Sequence, residues 1–447
     1  MNRSPWLHQL ERRRPLHRLD QHRHEDVVVV GGGIAGMMTA AFTLLDTSRS
    51  VLLLEAGNVA HGATGHNAGQ ITSYFERPFP DMVREFGLER AAFAAQSVES
   101  AWDLLKRIQT TFKLQTPIHQ FMGFAGLPSI ETLQAFLETN RLRVEAGLTA
   151  HPLYIGDEAE KRVRLTPHDR AFIRILPKQQ LLALLETPNQ GFLAVSTEQK
   201  GVTNSAALTE ELAHLLLAQY PDRFYILEET PVREIRLGRG THVLTSDAHT
   251  ITTNAVVLCT NGFESFTLRT DMGVDIDSRF HASINPLVAY MAGYEAPKAD
   301  PTALSYIEQA YNSDLPYAYM TRRPHTSTTS LVCWGEPEGT LAHHAEYNAS
   351  PSVPKPMIAQ LRAAIRRLRP QDSRQPLAFT WHGLMGYTPS RIRTIGKDPC
   401  HPELYYNLGC NGIGILPSIF GGQRIAQLVR GDVLAPSLFG PQDARWA

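Results

Sequence analysis

Residues 26–57 read DVVVVGGGIAGMMTAAFTLLDTSRSVLLLEAG, and no other stretch limits the possible folds so strongly. The valines at 27–30 form an unbroken β-branched run. Such a run, without polar alternation, reads as a strand covered on both faces of a parallel sheet. Gly31, Gly33 and Gly36 follow as GxGxxG, residues 34–45 favour a helix, and residues 51–54 repeat the buried-strand pattern. Strand, tight turn, helix and second strand in this order build a right-handed βαβ unit.

Each small residue then has a mechanical task. Gly31 permits the turn. Gly33 lets a pyrophosphate approach the backbone at the helix start, and Gly36 lets the helix lie close on the strand. Glu55 stands nineteen residues beyond Gly36 and closes the second strand. An acid there accepts hydrogen bonds from ribose hydroxyls and disfavours a 2′-phosphate. The unit predicts a dinucleotide site of NAD or FAD type and does not separate the two.

The chain's 447 residues allow two or three domains. Lys and Arg number 43 against 44 Asp and Glu, for a net charge of −1. That balance gives no electrostatic case for nucleic acid or an anionic membrane as partner. No run of ~18 apolar residues exists, so no membrane span is expected. Cys259, Cys333, Cys400 and Cys410 form no CxxC, and the histidines show no HxxxH spacing. A reduced, cytoplasmic protein without a metal site is the simplest expectation. Residues 1–24 lack the apolar core of a secretory signal. Their Arg12, Arg13 and Arg14 leave a targeting role open beside a poorly ordered or surface-docked extension.

Further strands and turns lie far downstream. Residues 207–220, ALTEELAHLLLAQY, have helical amphipathicity. The stretch around Val232 reads as a strand whose backbone could meet adenine. Residues 255–262, AVVLCTNG, form another buried strand ending in Thr260, Asn261 and Gly262. Leu404–Leu408 reads as a strand, followed by GCNGIGILPSIFGGQRIAQLVRG, a glycine-rich turn entering a helix. Pro417 suits that helix's first turn. Gly412 and Gly414 would bring backbone close to a ring, and the helix start would favour negative charge on it.

In family order, VVVVGGGIAGMMTA, LLLEAG, GATGHNAGQ, TPVREI, AVVLCTNG and GCNGIGILPSIFGGQRIAQLV resemble the D-amino-acid oxidase / glycine oxidase superfamily of FAD-dependent amine oxidoreductases. The resemblance covers most of residues 26–431 and is greatest to the γ-glutamylputrescine oxidase branch, where a GASGRNGGQ-type loop is usual. It implies an α/β fold: a Rossmann-like FAD-binding domain assembled from separated segments, plus an α+β substrate domain with a mixed, largely antiparallel sheet. The expected division is an extension at 1–24, FAD-binding segments at 25–75, 196–265 and 376–447, and helical and substrate segments at 76–195 and 266–375. FAD would be held by Gly31, Gly33, Ile34, Ala35, Gly36, Glu55 and Ala56, by Val232, by Thr260, Asn261 and Gly262, and by Gly412, Gly414 and Ile415.

The resemblance also gives the loop GATGHNAGQ a purpose. Gly62, Ala63, Thr64, Gly65, Asn67, Ala68 and Gly69 are expected beside the flavin and pyrophosphate, where bulk would collide. His66 stands where the γ-glutamylputrescine oxidase branch commonly has Arg. A dimethylglycine dehydrogenase-type loop has His at a similar place, bonded to the flavin 8α-methyl. A covalent link at His66 is possible and not expected. Hydrogen bonding to the cofactor, or only capping the loop, are the other roles left open.

Residues 82–109 have helical periodicity, and residues 281–296 and 315–339 read as strands facing the substrate. Tyr317 and Tyr319 alternate onto one face. With Arg322 and Arg323 they could orient a carboxylate-bearing substrate. In WHGLMGYTPSRIRTIG, His382 could tune the flavin or deliver a proton, while Arg391 and Arg393 depart from the branch's pattern. Cys333 is taken as core. The implied catalytic set is therefore His66, Tyr317, Tyr319, Arg322 and His382. The expected reaction is oxidation of the C–N bond of a primary or secondary amine or amino acid, by hydride transfer to flavin N5. The substrate would be γ-glutamylputrescine-like or N-methylated-glycine-like, with O₂ or another carrier as electron acceptor. Alternatives are a hydroxy-acid or glycerol-3-phosphate-type dehydrogenase, an FAD-binding subunit of a larger complex, or an RNA-modifying flavoprotein.

Overall fold

A computed structural model describes residues 2–12, 14–15, 23–238, 240–246, 249–263, 265–276, 284–308, 317–341 and 347–441. The valine run belongs to the strand Arg23–Val30, which lies parallel to Thr250–Leu258 on one side and to Val51–Leu54 on the other. Phe224–Leu227 and Leu404–Leu408 continue the parallel order outward. The helices Ile34–Asp46, Ser205–Gln219 and Ile415–Arg430 cover one face. Ile34–Asp46 and Ile415–Arg430 touch at Gly422, where a Cβ would come within 2.7 Å of the Met38 carbonyl carbon. Thr241–Thr245 and Val232–Leu237 extend the sheet antiparallel, and their Val243 and Ile235 pack with Val28 and Leu52.

A second sheet runs Phe379–Tyr387, Asn285–Pro297, Thr329–Thr340, Tyr317–Pro324, Thr302–Ile307, His119–Leu127, Ala194–Val202, Leu153–Gly156, Ile173–Leu176. Its pairings are antiparallel apart from Thr302–Ile307 with His119–Leu127 and Leu153–Gly156 with Ile173–Leu176. The helix Lys355–Leu368 covers its far face, setting Leu361 and Ile365 among Tyr294 and Trp334. The fold is thus mixed α/β with two sheets, as the resemblance implies.

Sheet membership follows pairing rather than chain order. Gln70–Thr72, Ala194–Val202 and Phe379–Tyr387 belong to the second sheet, while Thr267–Thr270 pairs with Val232–Leu237 in the first. Residues 82–109 fall in three helices, Phe79–Phe86, Leu88–Glu99 and Ala101–Phe112, the first two parted at Gly87 with φ +85°. Among the described residues no helix is long and apolar enough to cross a membrane.

The N-terminal segment is docked. Trp6, in the short helix Pro5–His8, is only 1% exposed. Arg14 is buried and pairs with Glu228 Oε2 at 2.7 Å and with Glu210 Oε1 at 2.9 Å. Arg12 reaches Glu228 Oε1 at 2.7 Å. These two arginines serve packing, and Arg13 lies outside the described residues.

Candidate active site

A cavity of about 380 Å³ runs between the sheets. At one end it is made of backbone. Gly31 takes φ +111°, and a Cβ there would sit 2.6 Å from the Cys259 oxygen. A Cβ on Gly36 would overlap the Gly31 oxygen, so helix and strand meet there as expected. Gly33 lines the cavity and caps Ile34–Asp46 without a side chain. Of the helix's first N–H groups, that of Ile34 is taken by Thr64 Oγ1 at 2.9 Å. Glu55 accepts from the N–H of Gly32 at 2.6 Å and of Gly57 at 2.8 Å, and burial pushes its pKa up. Ala35, Ala56, Val232, Thr260 and Asn261 join the lining at this end.

The loop at 62–69 forms the middle. Gly62, Ala63, Thr64, His66, Asn67 and Ala68 line the cavity. His66 Nδ1 lies 3.0 Å from the Gly62 oxygen, which can only accept, so Nδ1 carries the proton. Burial lowers the His66 pKa, which keeps the ring neutral near pH 7. Gly65 and Gly69 are small for another reason than the one expected. A Cβ at Gly65 would meet the Ala60 oxygen at 2.5 Å and Leu7 at 2.6 Å, and one at Gly69 would meet the Thr203 oxygen and Trp6, each at 2.7 Å. Ser4 Oγ donates to the Gly65 oxygen, and Trp6 Nε1 and Trp381 Nε1 both donate to the Asn67 oxygen, at 2.5 and 3.2 Å. The N-terminal segment therefore clamps the loop from outside. Gly262, with φ +90°, similarly makes room for Ile284.

The far end is made of side chains from separate strands and loops. Gly412, Gly414 and Ile415 line it, and Gly414 caps Ile415–Arg430 without a side-chain hydrogen bond. Tyr317 and Tyr319 share a face with ring centroids 5.7 Å apart, as their spacing predicts. Tyr317 donates to Glu76 Oε1 at 2.8 Å. Tyr74, Tyr387 and Glu338 complete this wall. Burial pushes Glu76 up to about 7, with Glu338 adding to the rise and Tyr317, Arg391 and Lys200 opposing it. Burial also raises Glu338, against the charge of Arg391.

Sequence reasoning missed both glutamates. Glu76 sits in a loop after a three-residue strand, with no periodic pattern to mark it. Glu338 is hidden by a β-bulge. Met291 pairs with Gly335 but Ala289 pairs with Glu338, so Thr329–Thr340 carries an extra residue at Glu336–Pro337. Glu336 pairs with Arg367 of the covering helix, while Glu338 reaches the cavity.

Two expected catalytic residues lie elsewhere. Arg322 falls one step out of phase with Tyr317 and Tyr319 and faces the other side of the sheet. It binds Glu186 through two 2.7 Å contacts, and its Nε donates to the Asp300 oxygen at 2.8 Å. His382 also points away from the cavity. Its Nδ1 meets Tyr347 Oη at 2.8 Å and its Nε2 meets the Pro351 oxygen at 3.0 Å. Arg323 is held by Gln9 and lies over the Trp6 ring at 4.8 Å. Cys333 is buried in the core, its thiol pushed up to about 12.

A family model described as DAO, FAD dependent oxidoreductase, matches residues 26–428. Among curated proteins, YhfW of Bacillus subtilis, described as a Rieske 2Fe-2S iron-sulfur protein, is 23% identical over 53% of this chain and 40% of its own length. Gamma-glutamylputrescine oxidoreductase of Escherichia coli is 27% identical over 21% of each chain. The matches thus span well under two thirds of these relatives. Among solved structures, L-proline dehydrogenase from P. horikoshii superposes with a TM-score of 0.69 at 16% identity, covering 94% of this chain and 97% of that one. Glycine oxidase from Geobacillus kaustophilus gives 0.64 at 18% identity, covering 93% and 98%.

Proposed function

This chain belongs to the FAD-dependent oxidoreductase family, and from that premise we propose that it oxidises the C–N bond of a primary or secondary amine or amino acid. The observation that carries this reading is the single cavity joining a backbone-built dinucleotide cradle to a wall of tyrosines and carboxylates. The residues fit FAD. A Cβ on Gly33 would meet only Thr64 Oγ1, at 3.1 Å, so the space beside the helix start is open. Two helix starts line the cavity with glycine at the N-cap, and such ends favour phosphate or negative charge.

Gly31, Gly33 and Ala35 would hold the pyrophosphate, Glu55 the ribose, Val232 the adenine, and Gly412, Gly414 and Ile415 the flavin ring. Bound there, FAD supplies the two-electron acceptor that takes a hydride from the carbon beside the nitrogen. The chain's own work is binding, orientation and exclusion of water. Tyr317 and Tyr319 pack over one side of the reacting space. His66, neutral and held through Nδ1, offers Nε2 for a hydrogen bond to the cofactor without a covalent bond. O₂ or another carrier would take the electrons onward.

The substrate group is γ-glutamylputrescine-like or N-methylated-glycine-like. The names of the E. coli relative and of the glycine and proline enzymes support an amine or amino acid. A glycerol-phosphate substrate, with its phosphate dianion, would need convergent cations. Among the described lining residues Arg393 is the one Arg or Lys, and its guanidinium is bound to Asn407 at 2.7 and 2.8 Å. The test is an anaerobic panel of γ-glutamylputrescine, putrescine, glycine, sarcosine, dimethylglycine and D-alanine. Bleaching of the oxidised flavin band by at least one is expected. Bleaching only by 2-hydroxy acids or glycerol 3-phosphate would replace the reading.

A further inference from the structure

The charge of the reacting end deepens the proposed function and rests on it. Two carboxylates, Glu76 and Glu338, and four tyrosines, Tyr74, Tyr317, Tyr319 and Tyr387, share that wall. The cations nearby are committed. Lys200 is buried, 3.2 Å from Glu198 Oε1 and 3.1 Å from Ser305 Oγ. Arg393 is tied to Asn407, and Arg391 acts on both glutamates by charge from outside the lining. A carboxylate on the reacting carbon would thus meet two carboxyl groups and no Arg or Lys of the described wall poised to receive it. An ammonium would meet carboxylates and aromatic faces, both favourable to a cation.

We propose that Glu76, with Glu338 on the same wall, seats the substrate's ammonium group and accepts one of its protons, so that the site takes cationic amines lacking a carboxylate on the reacting carbon. The proton step balances simply. One N–H bond of the ammonium breaks and an O–H bond forms on the Glu76 carboxylate. The products are a neutral amine and a neutral carboxyl group, and no electrons change hands. Only the neutral amine can release hydride from its carbon, so this transfer precedes oxidation. The proton returns to water after the product leaves.

Glu76 is tuned for such exchange by what surrounds it. Tyr317 donates to one oxygen, and Tyr74, Tyr319 and Tyr387 stand beside it. Glu338 adds negative charge, while Arg391 and Lys200 add positive charge. Its position near 7 lets it lose and regain a proton at neutral pH. A second cavity, of about 220 Å³, shares Tyr74, Glu76 and Tyr317 as its wall and gives room for an extended chain.

The experiment uses the FAD-loaded protein and matched amines. tert-Butylamine and 2-aminoisobutyrate differ by a carboxylate, and neither has an α-hydrogen to lose. Their binding is read from the perturbed flavin spectrum. Propylamine and 2-aminobutyrate, and butylamine and norvaline, are compared by anaerobic flavin reduction. The carboxylate-free member of each pair should bind or react at least tenfold better. Glu76→Gln should weaken tert-butylamine binding at least tenfold and remove an inflection near pH 7 from the pH profile of reduction. Glu338→Gln should weaken binding less. Equal or better binding of 2-aminoisobutyrate, or an unchanged preference in Glu76→Gln, overturns the proposal. If tert-butylamine binds through Glu76 but no amine bleaches the flavin, ammonium recognition stands and the oxidation reading falls.

Discussion

The two ends of the cavity are built by opposite means. The dinucleotide end is largely backbone: glycines, a helix start and one carboxylate from residues 26–57, with Val232, Thr260 and Asn261 beside them. The reacting end is side chain: Tyr74 and Glu76 from a loop, Tyr317, Tyr319, Glu338 and Tyr387 from three strands, and Arg393 from another segment. Backbone recognition tolerates no added atoms. Side-chain recognition tolerates exchange but changes its ligand. One end should therefore fail by losing the cofactor, and the other by losing or changing the substrate.

Gly36→Ala is expected to have the largest effect. Its Cβ would overlap the Gly31 oxygen, so helix and strand must part, and FAD affinity should fall on the order of 100-fold or more. Gly33→Ala sharpens the point, because it meets only Thr64. It should fold normally and lose roughly tenfold in affinity, read by flavin fluorescence titration. Next comes Trp6→Ala, outside both ends. It empties a buried site and removes a donor to Asn67, and should cost about 3–4 kcal/mol in denaturant unfolding.

A third effect is pH-dependent. The Glu76 carboxyl is raised in the folded chain from 4.5 to about 7. A raised carboxyl favours the folded state while protonated. Its contribution is full below about pH 4.5 and is lost as the pH rises through about 7. Glu76→Gln should flatten the apoprotein's stability decline across that window, by at most on the order of 3 kcal/mol. The smallest effect on the reaction should come from Arg322→Ala. Its guanidinium serves Glu186 and Asp300 on the far face, so flavin reduction by an amine should stay within about twofold. A large loss of reduction there would break the separation of the two faces.

The same contrast explains what the sequence revealed. The strand Val51–Leu54, the helix after Gly33 and the strand Leu404–Leu408 stand where residue pattern alone puts them. Each is a contiguous signal, and each glycine's role is set by its immediate neighbours. The reacting end offers no such signal. Parity along Tyr317–Pro324 joins Tyr317 to Tyr319 and sets Arg322 apart, yet the bulge at Glu336–Pro337 breaks parity and delivers Glu338. Gly65 and Gly69 look like cofactor glycines, but Leu7 and Trp6, about sixty residues earlier, crowd them together with the Ala60 and Thr203 oxygens. His382 sits beside lining residues, yet its strand turns it toward Tyr347 and Pro351. Such contacts depend on how distant segments meet, which local pattern does not encode.

The most direct test measures both ends on one preparation of Glu76→Gln: FAD bound per chain, and the anaerobic rate of flavin reduction by the best amine. The account predicts FAD at wild-type occupancy and reduction slowed at least tenfold. Loss of FAD together with reduction, or reduction at the wild-type rate, would contradict it.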